Sequence, residues 1–294
     1  MTSVRRLLAK YSISPTKRLG QHFLMDRGIM MAMIRIAEVN SQDVVVEVGP
    51  GLGEMTMLLA SKAKRVIAIE IDESIVALLK DRLDDYDNIV LHRGDALKFD
   101  FLSESRKWGE KFKVVSNLPY NISTQLLFCF VEMREAFSGM TLMLQKEVAE
   151  RIVAVPGGKQ YGVLSVRLQL YCDTSIQCIV PPSSFYPRPK VESAVVRFNF
   201  FQKPRVEIED EAIFRKVVRA SFGHRRKTLK NALKNVGFFN LKAGEIEVHL
   251  RKAGIDPRRR GETLSLGEFA ALSEAISRAM TSRGDASPKG DIDI

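Results

Sequence analysis

Short apolar runs alternate with segments of helical periodicity through the first half of the chain. The Val- and Ile-rich runs predict strands at residues 44–48, 65–71, 89–92, 114–116 and 140–144. Apolar positions three and four residues apart predict helices at residues 29–37, 54–60, 73–83, 124–133 and 147–153. Strands that alternate with helices in this way form a parallel sheet covered on both faces, so the pattern predicts an α/β domain with a Rossmann-like sheet.

The pattern changes after residue 171. Residues 175–180 and 192–200 resemble two strands joined by a Pro-rich connection at residues 181–189, which predicts antiparallel strands closing one edge of the sheet. Beyond residue 205 only basic amphipathic helical segments are found, at residues 213–220, 225–235 and 265–280. The predicted domains are therefore residues 1–203, a small all-helical domain at 204–280 and a disordered tail at 281–294.

The charge of the chain is positive and unevenly distributed. It has 45 Lys and Arg against 35 Asp and Glu, a formal net charge of +10. The basic residues that precede the first acidic residue, Asp26, are Arg5, Arg6, Lys10, Lys17 and Arg18. Residues 212–235 carry eight more without any acid. Solvated helix faces are the alternative, but acid-free segments of this size favour a nucleic-acid partner.

The remaining composition argues against metals and membranes. The three cysteines, Cys129, Cys172 and Cys178, form no Cys-x-x-Cys pair, and the four histidines are scattered. No apolar run approaches the ~20 residues that span a bilayer. Residues 1–15 are poor in acids, as in a mitochondrial presequence, but they run directly into a motif at residues 17–24. A cytoplasmic, metal-free protein is expected.

Residues 47–53 form a glycine-rich loop between the first strand and the next helix, where glycines let the backbone approach a nucleotide. A dinucleotide fingerprint would continue with a small residue where this chain has Glu54, so pyrophosphate would meet a carboxylate. S-adenosylmethionine (SAM) carries a sulfonium and no phosphate, which favours SAM over the NAD of a dehydrogenase. A glycine turn without any ligand is the alternative, because short glycine patterns are common.

Polar residues end the next two strands. Glu70 follows Gly51 by nineteen residues, at a position where a carboxylate can accept both ribose hydroxyls of a nucleoside. Asp95 ends the third strand and can accept a hydrogen bond from the adenine amino group of the cofactor. Taken alone, Glu70 could be an exposed acid that opens a helix together with Asp72, and Asp95 would more often be a turn residue than a ligand. Their occurrence in order along the sheet strengthens the prediction of a cofactor site.

Asn117, Leu118, Pro119 and Tyr120 follow the fourth strand. An exocyclic adenine amine is a weak nucleophile because its lone pair is delocalised into the ring. We expect Asn117 and a backbone carbonyl of Leu118 or Pro119 to accept its two N–H bonds and aim the lone pair at the methyl group. Tyr120, and Phe185 in the Pro-rich connection, are candidates to stack on an unstacked base. An ordinary Pro-Tyr turn is the alternative.

These motifs together resemble the ribosomal RNA adenine N6,N6-dimethyltransferase family. The resemblance rests on residues 17–24, 47–53, 117–123, 144–148 and 181–196. It implies a class I SAM-dependent methyltransferase fold, with base stacking at Tyr120 and Phe185. The implied cofactor contacts are His22, Leu24, Gly49, Gly51, Glu70, Asp95 and Asn117. His22 departs from the asparagine of many members, which makes its contact with the methionine end of the cofactor slightly pH-sensitive.

Residues 221–229 and 260–265 resemble the bacterial branch of that family. The implied reaction is dimethylation of two adjacent adenosines near the 3′ end of the small-subunit (16S) rRNA, in an assembling 30S subunit, by a monomer. The implied RNA-binding residues are Arg225, Arg226, Lys227, Lys230, Arg258, Arg259 and Arg260. Two rival interpretations stay open, a methylase of one large-subunit adenine that confers macrolide resistance and a non-catalytic assembly or transcription factor that kept the fold.

Overall fold

The computed structural model describes residues 2–224, 226–234 and 243–282. The chain forms two compact units. The first, called the sheet unit, comprises Met1–Ala149 and Asp173–Phe200, and the second, the helical unit, comprises Glu150–Cys172 and Phe201–Ile294. The domain boundary expected from the sequence, after residue 203, puts residues 150–172 in the first domain. They belong to the helical unit because the Phe201 and Arg205 amides donate to the Tyr171 and Leu170 carbonyls.

Nine strands and twelve helices are formed by the described residues. The strands are β1 (Phe23–Leu24), β2 (Val44–Val48), β3 (Arg65–Glu70), β4 (Ile89–Arg93), β5 (Phe112–Asn117), β6 (Phe137–Gln145), β7 (Cys172–Val180), β8 (Phe185–Tyr186) and β9 (Ser193–Phe200). The helices are α1 (Thr2–Lys10), α2 (Arg27–Ile36), α3 (Glu54–Ala60), α4 (Glu73–Leu83), α5 (Phe101–Trp108), α6 (Ser123–Glu132), α7 (Lys146–Val153), α8 (Val163–Tyr171), α9 (Glu211–Phe222), α10 (Leu229–Lys234), α11 (Ala243–Lys252) and α12 (Leu266–Ser282).

The main sheet has seven strands in the order β4-β3-β2-β5-β6-β9-β7. The strands β4, β3, β2, β5 and β6 are parallel, whereas β9 is antiparallel to β6. The chain steps outward from β2 to β3 and β4 on one side, and to β5 and β6 on the other. The strand order therefore reverses between β2 and β5, the point at which parallel sheets bind ligands beyond their carboxyl ends.

The buried side chains explain why the central strands were predicted from the sequence. Every residue of β2 is buried, as expected for a strand covered by helices on both faces. The rings of Phe101, Phe130 and Phe137 pack edge to face or tilted at centroid distances of 5.3 to 5.5 Å. The helix α2 begins where the Asp26 carboxylate accepts the Ile29 amide, which satisfies an otherwise unpaired donor.

The first helix, α1, was not predicted. Its Leu8, and Ile13 in the loop that follows, belong to an apolar cluster of the sheet unit together with Ile75 and Leu79 of α4. Arg5 and Arg6 of the same helix are exposed. The helix is therefore amphipathic, with its apolar face covered and basic side chains on the surface.

The helical unit is built around α9. This helix begins at the Asp210 cap and buries Ile213, Phe214 and Val217. Gly261 lies so close to the backbone of Ser221 that no larger residue would fit without a shift. None of the helices in residues 2–224, 226–234 and 243–282 is long and apolar enough to cross a membrane.

Candidate active site

A cavity lies at the carboxyl ends of β2, β3 and β5 in the sheet unit. Most of its wall is formed by residues 19–24, by the glycine loop after β2 with the start of α3, by Glu70 and Ile71 at the end of β3, and by residues 117–120 at the end of β5. Of the predicted cofactor residues, the cavity brings together His22, Leu24, Gly49, Gly51, Glu70 and Asn117. Of the predicted catalytic residues, it includes Asn117, Leu118, Pro119 and Tyr120.

The glycine loop reaches the cavity with its backbone in the left-handed region. The φ angles of Gly49, Gly51 and Gly53 are +69°, +55° and +82°. A Cβ on Gly51 would lie 2.9 Å from the Phe23 ring, and one on Gly49 would lie 3.3 Å from Pro119 Cγ. Both the backbone conformation and the neighbouring side chains therefore require glycine, and they leave bare backbone facing the cavity.

Glu70 ends β3 with its carboxylate held by the backbone. Its Oε1 accepts the Ile71 and Asp72 amides at 2.8 Å each, and the residue is only 7 % exposed. Burial raises the pKa of Glu70 to about 7. The backbone amides hold the carboxyl group in place at the cavity, where it can accept hydrogen bonds from hydroxyl groups.

Glu47 is a second buried acid in the cavity wall, which the sequence analysis treated only as the start of the loop. It is 1 % exposed, and the Thr56 hydroxyl donates to its Oε2 at 2.6 Å. Burial raises the pKa of Glu47 to about 8. An acidic residue near the end of an otherwise apolar central strand, just before a glycine-rich loop, is the sequence signal that could have identified it.

Asn117 ends β5 with its side chain directed by one hydrogen bond. Its Nδ2 donates to the His22 carbonyl at 3.0 Å. Its Oδ1 is buried and accepts no hydrogen bond from any of the residues that the structure describes. A buried acceptor without a donor is unfavourable by about 1–3 kcal/mol, so this oxygen is suited to a ligand that donates to it.

The backbone carbonyls beside Asn117 differ in what they already accept. The Pro119 carbonyl accepts the Ile122 amide at 3.3 Å, in the turn that leads into α6. From the sequence, either the Leu118 or the Pro119 carbonyl could accept the second N–H bond of the substrate amine. Because the Pro119 carbonyl already accepts the Ile122 amide, the Leu118 carbonyl is the better candidate to accept from the substrate amine.

The ring of Tyr120 is held in one orientation at the cavity. Its hydroxyl lies 2.5 Å from the Ser193 Oγ, and its ring lies 5.3 Å from the His22 ring at an angle of 34°. Burial raises the pKa of Tyr120, so the hydroxyl stays neutral. Ser193, on β9, was missed by the sequence analysis because only the antiparallel return of the chain brings it to Tyr120.

His22 connects three parts of the site. Its Nδ1 donates to the Pro187 carbonyl at 2.7 Å, since a carbonyl oxygen can only accept. Its own carbonyl accepts from Asn117, and its ring faces Tyr120. The imidazole therefore ties the Pro-rich connection to the residues after β5.

Two predicted site residues lie outside the cavity wall. Asp95 accepts the Leu97 amide at 3.0 Å and caps a short turn after β4, which is the alternative weighed for it from the sequence. Phe185 is 1 % exposed and packs with Met30 and Val195 in the apolar core. A base would stack on Phe185 only after this ring is uncovered. Both roles stay predictions.

Most of the predicted RNA-binding side chains have partners within the helical unit. The ion pairs are Lys230 with Glu247, Arg258 with Asp256, Arg259 with Glu268 and Arg260 with Glu262. Arg226 and Lys227 are exposed and form no ion pair with any described residue, while Arg225 lies outside the described residues. The ion pairs of Arg258 and Arg260 are exposed and contribute little stability. Arg259 is half-buried and also donates to Thr263, so its side chain is held within the unit.

The comparisons with known proteins agree with this arrangement. The model of the family described as ribosomal RNA adenine dimethylase matches residues 14–277. The chain is 46 % identical to ribosomal RNA small subunit methyltransferase A of Geobacter metallireducens over 90 % of this chain and 96 % of that protein. It is 42 % identical to the protein of the same name from Clostridium acetobutylicum, over 94 % and 99 %.

A solved structure gives the same result. The chain resembles a dimethyladenosine transferase from Plasmodium falciparum with a TM-score of 0.70 and 28 % identity, over 90 % of this chain and 98 % of that one. The Rossmann-like methyltransferase sheet with a helical carboxyl-terminal region, expected from the sequence, is therefore confirmed.

Proposed function

Since the chain belongs to the ribosomal RNA adenine dimethylase family, we propose that it uses SAM to dimethylate two adjacent adenosines near the 3′ end of small-subunit rRNA. SAM-dependent dimethylation of rRNA adenine follows from the family. The choice of the small subunit is supported by the two relatives of the same name.

The residues of the cavity fit SAM. Glu70 would accept the ribose hydroxyls, because its carboxylate is fixed by backbone amides at the end of β3. The bare backbone of Gly49 and Gly51 would lie along the cofactor, where a side chain would fill the space. When bound, SAM supplies an electrophilic methyl group on a sulfonium.

The unpaired Oδ1 of Asn117 is the observation that carries the proposal. An adenine amine that donates to this oxygen, and to the Leu118 carbonyl, is drawn toward tetrahedral geometry with its lone pair free. Because both acceptors are fixed before the substrate arrives, they need no reorganisation during the reaction. Tyr120 would hold the base by stacking on one face, with its ring fixed through Ser193.

The proposed partner is the rRNA of an assembling small subunit, bound by a monomer in the cytoplasm. We propose that exposed cations of the helical unit, including Arg226 and Lys227, bind its phosphates. The large-subunit methylase is the competing function.

The proposed function is tested by incubating the protein with labelled SAM and unmethylated small subunits, followed by mapping of the modified nucleotides. We expect dimethylated adenosine at two adjacent positions near the 3′ end. Large subunits from the same cells serve as the control and should stay unlabelled. Label confined to large-subunit RNA, or absent from both, contradicts the proposal.

SAM affinity is expected to rise with pH around neutrality. The pKa of Glu70 in the free protein is raised from 4.5 to about 7, so below pH 7 the carboxyl is mostly protonated. Hydroxyl donors stabilise the ionised form, so binding lowers this pKa and releases a proton. The dissociation constant should fall by at most about tenfold per pH unit up to pH 7 and level off above it. Calorimetry in buffers of different ionisation enthalpy measures both effects.

Glu70→Gln should remove this pH dependence and weaken SAM binding at pH 8 by about tenfold or more, because a charge-assisted acceptor is lost. Glu110→Gln is the matched control, since Glu110 lies just before β5, away from the cavity, and pairs with Lys64 at the surface. A Glu70→Gln protein that kept the wild-type pH profile would show that another group is responsible.

A further inference from the structure

The surface of α1 carries cations that the proposed function does not use. Leu8 is 4 % exposed and fixes the helix on α4, whereas Arg5 and Arg6 are exposed. The helix therefore holds two guanidinium groups on a rigid support rather than on a loose terminus. Such an arrangement limits the entropy lost when they bind a ligand.

The same helix contacts the Pro-rich connection beside the cavity. The Arg5 guanidinium lies 5.5 Å from the centre of the Tyr186 ring. Tyr186 pairs with Phe23, a cavity residue, and the next residue accepts a hydrogen bond from the His22 ring. Arg188 follows directly and is exposed. Arg5 of α1 contacts the Pro-rich connection that carries Arg188, and this connection pairs with Phe23 of the cavity wall.

Two further exposed cations, Arg18 and Lys190, lie on segments beside the cavity. Arg18 is exposed, and its carbonyl accepts from Asn121 Nδ2 at 3.1 Å, which ties it to the turn after Tyr120. The next residue, Leu19, lines the cavity. Lys190, in the Pro-rich connection, is also exposed. Arg18 therefore lies next to the segment at residues 19–24, and Lys190 lies in the Pro-rich connection that contacts it.

These side chains are not neutralised by neighbouring acids. Within the described part of the chain, Arg5, Arg6, Arg18, Arg188 and Lys190 form no ion pair. Lys10 differs, because its ammonium contacts the Tyr11 hydroxyl, which donates to Asp81 on α4. Exposed guanidinium groups without an acidic partner are suited to phosphate, which arginine binds through two parallel hydrogen bonds.

We propose that Arg5, Arg6, Arg18, Arg188 and Lys190, here called the mouth cations, bind the backbone phosphates on either side of the target adenosine. The inference rests on the proposed function, because it takes RNA as the substrate. A base that reaches Asn117 must leave its stack, and the phosphates beside it then lie at the cavity mouth. The mouth cations fix the strand there, so the sheet unit has its own RNA contact in addition to that of the helical unit.

The test uses the full-length protein with Arg5, Arg6, Arg18 and Arg188 all changed to Gln. We expect the KM for unmethylated small subunits to rise about tenfold or more, as exposed charge contacts of modest individual strength add up. The dependence of log Kd for RNA on log salt concentration should lose about 0.7 for each phosphate contact removed. The dissociation constant for SAM and the melting temperature should stay at the wild-type values.

A Lys62→Gln/Lys111→Gln protein is the matched control. Both lysines are exposed on the sheet unit, just before β3 and β5, at the sheet edge opposite the cavity. Equal KM and salt dependence in the arginine variant and the wild type would overturn the inference. A wild-type protein that methylates no small-subunit RNA overturns the proposed function instead, and the salt dependence of RNA binding then still decides whether the mouth cations contact phosphate.

Discussion

Replacement of Asn117 by alanine is expected to lower kcat for adenine methylation by about 10²- to 10³-fold, the effect of removing one preorganised hydrogen-bonding group from a site of developing charge. The Oδ1 of Asn117 accepts nothing from the described residues, so the substrate amine is its natural donor. Without it, the amine lone pair stays in the ring. The measurement is the single-turnover rate at saturating SAM and RNA.

The control for this experiment is Asn199→Ala on β9, where the side chain only accepts from Arg197 at the exposed surface. It should keep the wild-type rate. Asn117 also donates to the His22 carbonyl, so the melting temperature of the Asn117→Ala protein must be compared with that of the wild type. A folded Asn117→Ala protein with more than a tenth of the wild-type rate would contradict the assigned role.

Gly51→Ala is expected to weaken SAM binding at least tenfold and to destabilise the fold by about 2–5 kcal/mol. The left-handed backbone at φ +55° contributes about 1–2 kcal/mol of this for a residue with a Cβ. The new Cβ would also lie 2.9 Å from the Phe23 ring, and crowding in a packed site adds about 1–3 kcal/mol. Because both residues line the cavity, relief of the clash should weaken SAM binding at least tenfold.

Gly109→Ala separates the two causes. Gly109 has φ +68° at the end of α5, and a Cβ there would meet nothing within 4 Å. Its cost should be the backbone strain alone, about 1–2 kcal/mol, without any loss of SAM affinity. Urea unfolding and calorimetric SAM titration measure the two quantities for both variants. Equal effects of the two substitutions on both quantities would refute a role for the Phe23 contact.

The central sheet could be predicted because burial on both faces forces continuous apolar runs. The element β2 and the helices α3 and α4 have the bounds expected from the sequence. The helix α8 was missed because its apolar residues are distributed around the whole helix, which removes the helical period. The two-residue strands β1 and β8 carry no pattern of their own, since only their pairing defines them.

Those site residues could be predicted whose position at the end of a strand alone brings them to the cavity. Residues at the carboxyl ends of adjacent parallel strands must converge, which is why Glu70 and Asn117 both reach the cavity. The contacts of Tyr120 with Ser193, and of His22 with Pro187, depend on segments far apart in the sequence. The burial of Phe185 likewise follows from tertiary packing that no local pattern encodes.

The unpaired oxygen of Asn117 also implies how a two-methyl reaction would end. Unmethylated adenine offers two N–H bonds, the monomethylated base offers one and the dimethylated base offers none. The intermediate can therefore still donate to the site, whereas the finished product leaves the buried acceptor without a donor, which is unfavourable by about 1–3 kcal/mol. If Asn117 has the proposed role, the loss of this last hydrogen bond would favour release of the dimethylated product over that of the intermediate.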